Sequence, residues 1–180
     1  MISFGLWLSW PRSVDRAEVM FRNVWSIAAM GKSVVIVADK GLPSEVKPRR
    51  RIDIWWRGQQ NGSLMATLAH LLIQNWEWRD SYIRVLRVIR DAAGHDSSRQ
   101  AVRKLVEAAR IRAEPRVIVS TEPFFDVFRS HSAKADVIFL GLQPSDDETS
   151  AQLYSRISDL LAEMPTTILV HSSGEADMFV

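Results

Sequence analysis

The chain has 180 residues, enough for one domain with a proper core, or for one complete domain and part of another. Its 23 Lys and Arg stand against 21 Asp and Glu, and the formal net charge of +2 gives no basis for nucleic-acid binding. The absence of cysteine excludes a disulfide framework and thiolate chemistry, and no stretch approaches the roughly eighteen consecutive apolar residues that a membrane-spanning helix requires.

The first twelve residues, MISFGLWLSWPR, are apolar but lack a basic leader and a small-residue cleavage site, so 3–10 read as a buried strand and not as a signal peptide. Pro11 and Ser13 then offer a helix start, and Val14, Ala17, Phe21, Val24 and Ala28 keep helical spacing up to Gly31, a C′ glycine. Val34-Val35-Ile36-Val37 is a continuous β-branched run of the kind a parallel sheet buries on both faces, which completes one βαβ unit. The stretch GLPSEVKPRRR follows, with two prolines, one glycine and four basic residues. It reads as a linker, and its basic run from 47 to 51 as a solvated one, with phospholipid head groups or an acidic partner as the functional alternative.

The stretch from 51 to 65, RIDIWWRGQQNGSLM, reads as a strand, then a polar glycine-bearing loop over 57–63, then a helix opening near Ser63. Leu64, Leu68, Leu71 and Leu72 carry that helix, which ends between 75 and 80, and a second strand spans 82–89. Ser97 or Ser98 caps a helix whose apolar stripe is Val102, Leu105, Val106 and Ala109. A strand over 116–120, a short helix after Pro123 and a strand over 136–140 come next. Asp146, Asp147 and Glu148 crowd the start of a helix built on Leu153, Ile157, Leu160, Leu161 and Met164; Pro165 ends it before a last strand over 166–170.

Strands alternating with helices imply a parallel sheet with right-handed crossovers. The expected fold is α/β: a doubly wound, five-stranded parallel sheet of order 3-2-1-4-5 over residues 51–180, preceded by a linker at 41–50 and a partial βαβ unit at 1–40. An internal repeat supports this division. Laying Pro11 on Pro144, an offset of 144 − 11 = 133, brings FGLWLSWP near FLGLQP and Val34 onto Thr167, so residues 1–40 read as the closing βαβ unit of a similar lobe whose front lies outside this chain.

In such a sheet ligands bind beyond the carboxyl ends of the strands where the strand order reverses. Here that is between RGQQNGS at 57–63 and GLQPS at 141–145, and the candidate crevice residues are Arg57, Gly58, Asn61, Gly62, Ser63, Gly141 and Gln143. Helix N-terminal N–H groups with Arg57 suit an anion such as a phosphate, although no GxGxxG or GxxxxGK[ST] is present and any tight βα turn uses glycine. The four histidines, His70, His95, His131 and His171, have no metal-ligand spacing, and GxSxG is absent, so neither a metal site nor a catalytic residue is expected. Seven tryptophans (Trp7, Trp10, Trp25, Trp55, Trp56, Trp76 and Trp78) exceed what one small core hides, which points to self-association.

The stretch IDIWWRGQQNGSLMATLAHLLIQNWEWRDSYIRVLRV resembles the cytoplasmic C-terminal region of the cation-chloride cotransporters and their bacterial amino-acid-permease-like relatives. ARIRAEPRVIV, PFFDVFRSHSAKADVIFLGL and MPTTILVHSSG are similar to later landmarks of that region, with Asp53, Trp55, Trp56 and Ser130-His131-Ser132-Ala133 carrying the likeness best. The resemblance implies a non-catalytic, two-lobed regulatory domain, similar in fold to universal stress proteins, at the inner face of the cell membrane. Its partners would be a second copy, as a homodimer, and the transmembrane transport domain of the parent transporter. No cofactor is expected; an adenine nucleotide in the crevice is what some family members imply. This chain has Asn61-Gly62 where eukaryotic members usually show two adjacent glycines, and the long phosphoregulated insertions are absent. A stand-alone universal-stress-type nucleotide-binding module is the alternative.

Overall fold

Seven β-favouring runs pair edge to edge into a single sheet in the computed structural model, which describes residues 6–41, 49–143 and 148–174. The strands are β1 (Leu6–Ser9), β2 (Val34–Ala38), β3 (Arg51–Trp55), β4 (Tyr82–Ile89), β5 (Ala113–Val119), β6 (Val137–Gly141) and β7 (Thr167–His171). Between them run α1 (Val14–Ala29), α2 (Gln59–Ile73), α3 (His95–Ala108), α4 (Phe124–Ser132) and α5 (Ser150–Leu161). Most of the expected linker (42–48), the tip 144–147 of the second crevice loop and both ends of the chain lie outside the described residues.

The sheet order is β1-β2-β7-β6-β3-β4-β5, so the strands from β3 onward stand in the order 3-2-1-4-5 when counted from β3. All neighbours are parallel except β2 and β7. That seam explains the repeat. The 133-residue offset lays β2 on β7 (34 + 133 = 167), and at the middle of their pairing Ile36 faces Leu169, its own counterpart (36 + 133 = 169). The β1-α1-β2 and β6-α5-β7 units are thus related by a local twofold axis through this pair, with α1 packed on α5. The first βαβ unit extends the sheet instead of forming a separate layer.

Helices cover both faces. On one, α1, α4 and α5 bury Phe21, Phe128 and Leu153 against Trp55, Ile138, Leu140 and Leu169; on the other, α2 and α3 bury Met65, Ala69 and Val102 against Ile54, Trp56 and Phe139. Strand alternation divides β3 between the two cores, so Asp53 and Trp55 point one way and Ile52, Ile54 and Trp56 the other.

Several sequence readings shift. The helix expected near Ser63 begins at Gln59, so most of the expected loop 57–63 is the first turn of α2. Polar residues and glycine there look like a loop, but a first helical turn tolerates both. The helix expected to be capped by Ser97 or Ser98 begins at His95, after a single 3-10 turn at Ala92–Gly94, and Ser97 Oγ donates back to Gly94 O. In the described part of the basic run, Arg51 is in β3, while the exposed Arg49 and the half-buried Arg50 lie over the rings of Tyr82 and Trp78, at 5.0 and 4.9 Å. Trp55, Trp56 and Trp78 are core, and Trp10 stacks on Tyr154, so among the described tryptophan side chains only Trp76 stands well out, at 78% exposure.

Candidate functional site

The carboxyl ends of β3 and β6 diverge into a crevice of about 710 Å³, at the strand-order reversal where the topology places it. Its walls come from the start of α2 (Gly58, Gln60, Asn61), the β6 end (Gly141, Leu142, Gln143), Phe124 of α4 and Arg156 of α5, with Arg57 between β3 and α2. Of the sequence candidates, Arg57, Gly58, Asn61, Gly141 and Gln143 therefore meet. Gly62 and Ser63 do not line the crevice.

Gly62 serves packing. A Cβ there would lie 2.6 Å from Trp56 Nε1, so only glycine lets α2 close down on the indole. Arg87 covers the same ring, 4.7 Å from its centroid. Ser63 lies within α2, where its carbonyl accepts from Thr67 Oγ1.

Asn61 is a strut. Its Oδ1 accepts from Ser172 N at 2.8 Å, its Nδ2 reaches Leu142 O at 3.5 Å, and the adjacent Gln60 Nε2 donates to Ser172 O at 3.1 Å. Two glutamine-family amides thus tie the start of α2 to the chain leaving β7 and β6. Gly141 must be small for the same reason: a Cβ would meet Asn61 Nδ2 at 2.8 Å.

Two cations border the crevice, and they differ. Arg156 is held in a fork by Glu148, at 2.6 and 2.8 Å, and this hydrogen bonding raises its pKa, so its charge is already matched. Arg57 lies 4.6 Å above the Phe124 ring and has no ion pair among the described residues. Sequence reasoning singled out Arg57 but missed Arg156, because nothing in a helical stripe announces that its off-stripe arginine reaches a loop 8 residues back. Among the described residues no group of acids and histidines is arranged to hold a metal.

Below the crevice, on the α4 side of β3, three of the residues that carry the family likeness, Asp53, Trp55 and Ser132, form one buried network with Arg84. Asp53 and Ser132 are each 0% exposed. Trp55 Nε1 donates to Ser132 Oγ at 2.9 Å, Ser132 Oγ donates to Asp53 Oδ2 at 2.7 Å, and Arg84 grips both Asp53 oxygens at 2.8 and 2.6 Å. Arg84 and Arg51 also donate to His131 O, at 2.9 and 3.1 Å. Burial pushes the Arg51 guanidinium below its ordinary value, with Asp53 opposing. Burial, reinforced by Arg84, likewise holds the His131 ring below the usual histidine range. With both Asp53 oxygens engaged by donors, this network fixes α4 on the sheet and holds Asp53 and Ser132 in structural roles.

By sequence the chain matches no protein-family model and no curated protein. By structure it is similar to the cytoplasmic domain of a prokaryotic cation chloride cotransporter, with a TM-score of 0.71 and 18% identity. The match covers 97% of this chain and 66% of that one, so this chain spans about two thirds of that structure's length. The likeness shows a shared α/β fold. Among the described residues no helix is long and apolar enough to cross a membrane.

Proposed function

We propose that this chain is a non-catalytic, cytoplasmic regulatory and dimerisation domain of a cation-chloride-cotransporter-like membrane transporter. The observation that carries the proposal is the fold likeness over 97% of the chain to such a cytoplasmic domain. It is supported by the way Asp53, Trp55 and Ser132, quoted for the resemblance from sequence alone, turn out to be hydrogen-bonded to one another. A motif whose members touch is a packing requirement of this fold.

Fractionation of the native source cells, with an antibody raised against this chain, tests the attachment. The expected result is a membrane-bound product considerably larger than 180 residues. A product of this size confined to the supernatant overturns it. Sedimentation from low to high micromolar concentration tests dimerisation, and a strict monomer throughout removes that part.

A second reading, a nucleotide-binding module, draws on the 710 Å³ crevice and on Arg57 at its edge, which has no ion pair among the described residues. Thermal shift with ATP, ADP and AMP tests it. A stabilisation lost in Arg57→Gln favours it, and no shift at millimolar nucleotide sinks it.

A further inference from the structure

A second cleft, of about 460 Å³, opens at the other end of the sheet, where β3, β4 and β5 begin. Four arginines line it, Arg49, Arg79, Arg110 and Arg112, against one acid, Asp80. None of the four forms an ion pair among the described residues. Like charges gathered around a concave surface repel one another and focus a positive potential into it. The cleft also holds polar atoms without partners among the described residues: His70 Nδ1 and Ser81 Oγ are both shielded from solvent and have no hydrogen-bond partner there.

The tautomer of His70 follows from its neighbour. Its Nε2 lies 3.4 Å from the Gln74 amide nitrogen, which can only donate, so with Nε2 accepting in this amide orientation Nδ1 is the ring nitrogen left to donate. Both orphaned atoms are then donors, and they stand among four guanidinium groups. Buried polar atoms left unsatisfied are rare and need a reason. Arg110 adds a third sign. It is the one non-glycine residue with positive φ among those described, at 52°, in the turn after α3 where glycine would be unstrained. An arginine is held there against its backbone preference, and it faces the cleft.

We propose that this cleft binds a phosphate-bearing anion, either a small organic phosphate or the phosphorylated head group of a lipid. Guanidinium forks match phosphate oxygens two at a time, the neutral donors complete the shell, and the volume exceeds what orthophosphate alone would fill. The basic run noted in the sequence thereby gains a partner, with Arg49 as its contribution to the cleft.

Calorimetry with pyrophosphate tests the proposal on the intact chain, alongside co-sedimentation with phosphatidylcholine vesicles that contain or lack phosphatidic acid. Arg110→Gly removes the guanidinium and leaves a residue that fits the backbone, so its thermal melt serves as the folding control. The expected result is pyrophosphate binding weakened about tenfold by Arg110→Gly and again by Arg112→Gln, and unchanged by Arg57→Gln at the opposite end. Co-sedimentation with phosphatidic acid vesicles that pyrophosphate competes away assigns the head group as the source. Pyrophosphate binding without co-sedimentation assigns a free organic phosphate. Absence of both, or binding that the Arg110→Gly/Arg112→Gln pair leaves intact, overturns the proposal.

Discussion

Ser132 donates its hydroxyl proton to Asp53 over 2.7 Å, joining α4 to the inner strand β3 across 79 residues of sequence, with neither side chain exposed. The hydroxyl also accepts from Trp55, so one oxygen holds an acid and an indole that share a face of the strand.

Asp53→Asn is expected to cost roughly 3–5 kcal/mol, because it leaves Arg84 without its charge partner in a buried setting. Ser132→Ala should cost about 1–3 kcal/mol, since the Trp55 N–H loses its acceptor and Asp53 one of its donors. Urea unfolding of both single variants and the double variant checks this. The double variant should be less destabilised than the sum of the singles, because Asp53 and Ser132 are bonded to each other in one network.

Gly62→Ala should be destabilising by about 1–3 kcal/mol despite the better helix propensity of alanine, because the new Cβ falls 2.6 Å from the Trp56 indole nitrogen. Gly58→Ser is the contrast. Gly58 is the extended N-cap of α2, an added Cβ meets nothing within 4 Å, and a serine oxygen there should add a few tenths of a kcal/mol. Opposite shifts in urea midpoint for two glycines four residues apart are the expected signature.

The Asn61 strut makes a coupling prediction. Asn61→Ala leaves the backbone N–H of Ser172, a fully buried residue, without its acceptor and should cost about 1–3 kcal/mol. Gly141→Ala should be harmful in the native background and less so once Asn61 is alanine, because the amide nitrogen it strikes at 2.8 Å has gone and only the Asn61 Cβ contact at 3.3 Å remains. A double-mutant cycle by thermal unfolding reads this directly, and additive effects would contradict the geometry.

Stability should fall below neutral pH through His131. Its folded-state pKa is lowered by burial and by Arg84, with smaller repulsion from Arg116 and Arg51 and with Asp53 opposing. The unfolded chain therefore takes up this proton first. Above the ordinary histidine value of about 6.5 the shift has no effect; as pH falls from there toward the folded pKa, stability declines, and below that the loss is complete. The urea midpoint measured from pH 7.5 downward should drop less in His131→Gln than in the native chain.

Much of the architecture could be read from periodicity. Val34 to Val37 announced a doubly buried strand, and the stripe Val102, Leu105, Val106 a half-buried helix, because a period of two or of 3.6 leaves its mark wherever one face meets a core. The start of α2 was not legible. Gly62 reads from sequence as a loop glycine beside the crevice, whereas its smallness is set by Trp56, a contact that composition cannot register. The crevice was placed by a rule of topology, but the use of Asn61 as a strut and the matching of Arg156 by Glu148 depend on side-chain direction. The cleft of Arg79, Arg110 and Arg112 was invisible for a plainer reason. With Arg49, its arginines come from the three separate segments that lead into β3, β4 and β5, which only the sheet brings together.

The antiparallel seam between β2 and β7 has a consequence for how the chain reaches this state. Val35 pairs with Val170, which is made 170 − 35 = 135 residues later. At ribosomal speeds of roughly 5–20 residues per second, β2 waits about 7 to 27 s for its neighbour. Until then its apolar edge is open to any strand that passes, and closing so wide a loop is slow. Newly made chains should therefore be most prone to misassociate just before the last strand emerges, and a copy shortened ahead of Thr167 should aggregate through that same edge.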